Sequence, residues 1–177
     1  MPERVMIDIE TLGLEPGATI LSIAAVKFDT GGLGERIHRS VGLRSCEAAG
    51  LTIDAETLQW WLDQDDDADG RLTDLLTQGM PLEAALEQLA RFCYDADEMW
   101  AKAPKFDCTH LEHAADAVGV ELPWEFYELR DVRTIAALPI APGREQEGTE
   151  HDALDDAVYQ ARIVAETLRR LEGGDGR

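Results

Sequence analysis

The sequence predicts an α/β domain over residues 1–172, followed by a flexible tail at 173–177. Three observations carry this. The first 43 residues hold three closely spaced apolar, partly β-branched segments. From residue 54 onward apolar residues recur mainly at helical spacing, broken by one short apolar segment. Hydrophobic residues make up 45% of the 177, enough for a sizeable core and too many for a disordered chain.

Taken in order, Arg4 to Glu10 reads as a strand, with Val5, Ile7 and Ile9 alternating against Asp8 and Glu10. Thr19 to Asp29 and Gly34 to Leu43 read as two more, joined by the turn Thr30-Gly31-Gly32. Together they suggest an antiparallel meander that starts from a central strand. Asp54 to Gln64 is a helix capped by Asp54, with Leu58, Trp61 and Leu62 on one face. Pro81 to Tyr94 is a helix with Leu82, Ala85, Leu86, Leu89 and Phe92 at helical spacing. Met99 to Ala101 is a short buried strand. Helices follow at Phe106 to Val118 and Asp131 to Leu138, then a Pro/Gly/Glu-rich mobile loop at 139–150 and a last helix from His151 to Leu171.

Acidic residues outnumber basic ones 36 to 16, for a net charge of −20. A generally basic nucleic-acid-binding surface is excluded, and a phosphate-bearing substrate would need a local device to offset repulsion. Residues 51–100 alone carry 13 acids and 2 bases. Two readings of that run stand: a solvated helical face remote from any phosphate path, or adaptation to high salt in a chain with only three lysines. Cys46, Cys93 and Cys108 form neither a disulfide framework nor a zinc knuckle, which points to a reducing compartment. No secretory signal and no membrane-length apolar run is visible. The expectation is a cytoplasmic protein.

Carboxylates stand out in three places. Asp8 and Glu10 share one strand face, roughly 7 Å apart, inside an apolar strand where unpaired charge is costly. The alternative is a strand end emerging into solvent. Asp107 lies four residues before Leu111, on the inward stripe of Leu111, Ala114, Ala115 and Val118. A helix cap would explain an acid in the first turn but not its inward direction. Lys102 and Lys105, just upstream, could meet a phosphate or be solvated. In the run HDALDDAVYQA, Asp152 reads as the helix cap and Leu154, Val158, Ala161, Ala165 and Leu168 as the core stripe. Asp156 lies off that stripe, where it can face a cleft. His151 precedes the helix, and taken alone it reads as an ordinary surface residue. Convergent acids repel unless cations hold them, and an all-oxygen set suits Mg²⁺ or Mn²⁺, not zinc. Two such ions about 4 Å apart can clamp a phosphodiester.

The set Asp8-x-Glu10, Asp107 and His151-x-x-x-x-Asp156, in that chain order, resembles the DEDDh branch of the DnaQ-like 3′–5′ exonucleases. Asp8-Ile-Glu-Thr-Leu-Gly and His151-Asp-Ala-Leu-Asp-Asp-Ala resemble that family's first and third motifs nearly letter for letter, and the likeness covers about residues 4–170. Trp100-Ala-Lys, Phe106-Asp107, Pro123-Trp124 and Arg130-Asp-Val-Arg-Thr134 are closer still to small stand-alone exoribonucleases of the phage exonuclease A and mycobacterial type. Many relatives have Asn where Trp100 stands, so contacts made there by the Asn do not carry over.

The resemblance implies an RNase H-like fold, a central mixed sheet of antiparallel meander plus parallel strands, flanked by helices. It implies two Mg²⁺ or Mn²⁺ ions held by Asp8, Glu10, Asp107 and Asp156, with His151 as general base for the attacking water. Thr11, Leu12 and Gly13 match positions that touch the terminal nucleotide, Leu12 pressing on the last base and Thr11 reaching the 3′ hydroxyl. Trp60 offers a stacking face, whereas Trp61 reads as core packing beside Leu58 and Leu62. Arg130 and Arg133 could contact phosphate or bridge local acids. The partners implied are single-stranded 3′ ends, RNA favoured over DNA, with a homodimer as the assembly many relatives adopt. The competing readings are a 3′–5′ DNA exonuclease and, from another class, an acidic decoy that mimics DNA. The decoy has no use for carboxylates inside a strand or for a His at the third motif.

Overall fold

The computed structural model describes residues 3–63, 73, 76–77, 79–143 and 151–173. Gln64, residues 144–150 of the expected mobile loop and residues 174–177 of the expected tail lie outside them. The centre is a five-stranded mixed sheet in the order β3-β2-β1-β4-β5. β1 (Arg4–Thr11) is buried along its whole length, as a central strand covered on both faces must be. β2 (Ile20–Asp29) and β3 (Gly32–Ser40) form the antiparallel meander, whereas β4 (Glu98–Ala101) pairs parallel to β1 and β5 (Leu129–Asp131) parallel to β4. The β2–β3 turn is held by Asp29, whose Oδ1 accepts from the amides of Gly31 and Gly32 at 2.7 and 3.0 Å.

Val5, Ile7 and Ile9 point to one side of the sheet, into a core with Leu82, Leu86, Leu89 and Leu111 from α3 (Leu82–Cys93) and α4 (Pro104–Val118). Met6 points to the other, against α6 (Ala153–Gly173). Asp8 and Glu10 share the parity of Met6, so strand alternation sends both toward α6. The buried stripe of α6 runs through Ala153, Ala157, Ala161 and Val164, with Leu154 and Leu168 only partly covered at its flank. The stripe read from the sequence is thus buried at Val158, Ala161 and Ala165 and half-buried at its two leucines, with Ala153, Ala157 and Val164 widening it.

Three elements differ from the expected plan. β3 ends at Ser40, and α1 (Leu43–Ala48) follows it. The chain leaves the sheet where Val41 and Gly42 are captured instead by the carbonyls of Leu21 and Met80, both at 2.8 Å. That crossing depends on Gly79, where a Cβ would fall 2.2 Å from the Gly42 nitrogen. Near the other edge, a short 3₁₀ turn (Phe126–Glu128) and β5, neither expected, precede α5 (Val132–Ala136), which is the expected helix with Asp131 as its N-cap. α2 (Ala55–Leu62) is capped as expected: Asp54 Oδ1 accepts from the Thr57 amide at 2.8 Å. No helix among the described residues is long and apolar enough to cross a membrane. Cys46, Cys93 and Cys108 are all free and buried, and burial pushes the Cys93 thiol up to about 12.

Candidate active site

The cleft begins where the sheet stops pairing. β4 pairs with β1 only opposite Arg4, Val5 and Met6, so Asp8, Ile9 and Glu10 project beyond it. The chain turns at Lys102 and Ala103 and enters α4, whose first turn places Asp107 against this open edge. The backbone of Ala103, of Asp107 itself and of Ile9 favours the ionised form of the Asp107 carboxyl. From the opposite face α6 brings Asp156, and His151 stands just ahead of that helix. Asp8, Glu10, Asp107, His151 and Asp156 thus line one cleft of about 350 Å³, together with Lys102, Phe106 and Arg133.

Ligand atoms of Glu10, His151 and Asp156 all lie within 4.8 Å of one another. Asp107 is only 5% exposed, and burial raises its pKa to about 7 against the pull of the backbone donors and of Arg133. Asp8 is raised well above the ordinary carboxylate range, first by burial and then by the charges of Asp107 and Glu10. A group of carboxylates that raise one another's pKa is a site short of positive charge. Hard oxygen donors in that arrangement fit a divalent cation of the Mg²⁺ or Mn²⁺ type. A decoy surface would carry its charge outward, whereas these acids are turned inward.

His151 has φ of 61°, the single non-glycine residue with positive φ among the described residues. Backbone strain of this kind persists where the surroundings fix it. Here Asp152 caps α6, its Oδ1 accepting from the amides of Leu154 and Asp155 at 3.1 and 3.0 Å. The His151 ring stands edge-on to Trp60, centroids 4.7 Å apart and planes at 89°.

A second, more apolar pocket of about 430 Å³ adjoins the cleft through Ile9, Glu10 and Phe106. Thr11, Leu14, Trp60 and Trp61 line it, with Asp54 and Glu56 on its outer wall. Trp60 is 41% exposed, whereas Trp61 is buried and donates its indole N–H to the Thr11 carbonyl at 3.0 Å. The structure thus separates the exposed Trp60 from the core residue Trp61. Leu12 requires a correction. It is fully buried between Leu21 and Trp61, so it presses on the core and not on a base. The exposed leucine at this rim is Leu14, at 73%. Gly13 is buried beneath the same rim, and its carbonyl accepts from the Thr11 hydroxyl at 2.7 Å. Arg133 reaches the cleft, but Arg130 is committed elsewhere, donating to the Tyr127 carbonyl at 2.7 Å and facing Glu98 at 3.9 Å. Trp100 is buried against Phe28 with its indole N–H on Glu98, so no side chain at that position enters the cleft. One residue escaped the sequence reading: Gln160, buried on α6, donates from Nε2 to Asp8 Oδ1 at 2.8 Å. Its only signal was a polar side chain four residues beyond Asp156.

The profile of a family described as a 3′-5′ exoribonuclease Rv2179c-like domain matches residues 3–168. No curated protein sequence matches the chain. The fold is similar to that of the nuclease domain of 3′hExo, a DEDDh family member bound to rAMP. That match has a TM-score of 0.68 at 13% identity, over 98% of this chain and 93% of the other. It is also similar to exonuclease X in complex with 5′ overhanging duplex DNA, with a TM-score of 0.55 at 17% identity and the same coverage. Cell-death related nuclease 4 (CRN-4) matches with a TM-score of 0.56 at 13% identity, over 98% of this chain and 65% of that one.

Proposed function

The chain belongs to the Rv2179c-like 3′–5′ exoribonuclease domain family, and from that premise we propose that it removes nucleoside 5′-monophosphates from the 3′ end of single-stranded RNA or short oligoribonucleotides. The observation that carries the reading is the convergence of Asp8, Glu10, Asp107, His151 and Asp156, from three separate segments, on one cleft. Divalent cations held by the four carboxylates would supply the positive charge that draws in a phosphodiester and stabilises the charge built on it during displacement. His151 accepts the proton of the attacking water at a ring nitrogen. Water oxygen joins phosphorus, the 3′ oxygen of the upstream nucleotide leaves, and the terminal residue departs as its 5′-monophosphate.

Lys102 and Arg133 stand in the cleft among its four acids, where each could meet a phosphate of the bound strand. Trp60 and Phe106 offer flat apolar surface to the unstacked base. RNA is favoured over DNA by the family's description.

The test is incubation of 5′-labelled single-stranded RNA and DNA with Mg²⁺ or Mn²⁺. A ladder shortening from the 3′ end, faster on RNA and blocked by a 3′ phosphate, is expected. Cleavage of a circular single strand would overturn the exonuclease reading. Faster loss of DNA would overturn the choice of substrate.

A further inference from the structure

We propose that Gln160 is a positioning residue for Asp8, holding one carboxylate oxygen so that the other is presented to a divalent cation; this rests on the metal-dependent reading above. Gln160 is 3% exposed and Asp8 is 9% exposed, and the 2.8 Å bond between them joins α6 to the central strand across 152 positions of sequence. The direction of the bond is fixed by chemistry, since an ionised carboxylate only accepts and the amide nitrogen must face it.

Packing does not account for the residue. Gln160 Oε1 is buried without a hydrogen-bond partner. An unsatisfied buried acceptor costs stability, and the neighbouring buried positions Ala157, Ala161 and Val164 are apolar. A hydrophobic side chain at 160 would serve the core better. What the amide adds is a donor to a buried acid of a crowded set. The small residues Ala153, Ala157 and Ala161 bring α6 close enough to the sheet for a glutamine to reach it.

The choice of a neutral donor has its own logic. Lys or Arg in the same place would cancel the charge of Asp8 and compete with the ion. An amide orients the carboxylate and leaves its charge to the metal. Because Asp156 and Gln160 are one helical turn apart, α6 supplies a ligand and the support of another ligand from one face.

The experiment is calorimetric titration of Mn²⁺ into metal-free wild type, Gln160→Met, Gln160→Leu and Asp8→Asn, with thermal melts of each in chelator. Both Gln160 variants should melt at or above wild type and bind Mn²⁺ about 10-fold or more weakly, the usual scale for losing an outer-shell partner. The Mn²⁺ concentration for half-maximal turnover should rise by the same factor. KM for single-stranded RNA at saturating Mn²⁺ should stay within about twofold of wild type. Mn²⁺ affinity near wild type in both variants overturns the proposal, as does a large loss of melting temperature in both, which would make the role structural. Asp8→Asn separates the two readings. If it loses Mn²⁺ while the Gln160 variants keep it, only the role of Gln160 falls; if it keeps Mn²⁺, the carboxylate site itself falls.

Discussion

Burial and mutual charge make the cleft acids sensitive to pH in a direction opposite to that of ordinary salt-bridged carboxylates. Burial raises Asp107 to about 7, whereas an unfolded Asp titrates at about 3.9. Between those values the folded chain holds a proton that the unfolded chain has released, so stability falls as pH rises through the window. Asp8 is raised for the same reasons and acts in the same direction. Melts in chelator should therefore show the metal-free protein more stable near about pH 5 than near about pH 8. Asp107→Asn cannot ionise and should flatten that difference; an unchanged slope would place its origin elsewhere. His151 permits a cleaner substitution than most catalytic histidines, because its φ of 61° is a conformation Asn tolerates better than other non-glycine residues. His151→Asn should keep the fold and lower turnover by roughly 100-fold or more, and near-normal turnover would remove the base assignment. Asp8 and Glu10 were legible in the sequence because strand alternation alone places them together, and Asp107 because it broke an apolar stripe. His151 was not legible without the family resemblance. Gln160 carried no charge to betray it. Leu12 and Leu14 looked alike, and only the packing of Trp61 over Leu12 decides which of them meets solvent.

Elements with long periodic faces were legible, as were the short β4 and α5, whereas α1 and β5 were not. α3, α4 and α6 follow from apolar residues at helical spacing, β1 from strand alternation, and β2 with β3 from the glycine turn that joins them. α1 has six residues and no side-chain cap, and β5 has three residues. Neither is long enough to show a period, and both exist because neighbours offer hydrogen bonds: β4 pairs with β5, and the Met80 carbonyl catches the chain at the start of α1. Gly79→Ala tests that crossing. Its Cβ would fall on the Val41–Gly42 peptide, 2.2 Å from both its carbon and its nitrogen, so the two segments must separate, at about 1–3 kcal/mol by the usual cost of overpacking. The loss should appear as a lower midpoint in denaturant, with the metal affinity of the folded protein unchanged. α2 gives a complementary test, since it carries Trp61 inward and Trp60 outward. Trp60→Ala should leave stability nearly level and raise KM for RNA by roughly tenfold, from the 1–3 kcal/mol that stacking contributes per base. An unaltered KM would move base recognition off α2.

Across the whole molecule the net charge of −20 sets the background against which any bound cation is measured. A chain so acidic is stabilised by salt of any kind, because counterions screen its self-repulsion. Stabilisation by Mg²⁺ or Mn²⁺ is therefore not by itself evidence of a site. Two features separate a site from an atmosphere. Screening depends on ionic strength and hardly on a single inward-facing acid, whereas mass action at a site depends on the ligands that form it. An ion at about 100 times its dissociation constant adds about 2.7 kcal/mol to the folded state, and that gain disappears with the ligand set. In NaCl matched for ionic strength, Mn²⁺ should raise the melting temperature of the wild type by several degrees. Asp8→Ala should start from an equal or higher melting temperature in chelator, because one buried negative charge has gone from a group that repels itself. It should then gain little from Mn²⁺ and lose cleavage altogether. Substituting an exposed acid such as Glu83 should leave the Mn²⁺ shift intact. Equal shifts in wild type and Asp8→Ala would mean that the ion stabilises the acidic surface at large and that the cleft carboxylates do not hold it.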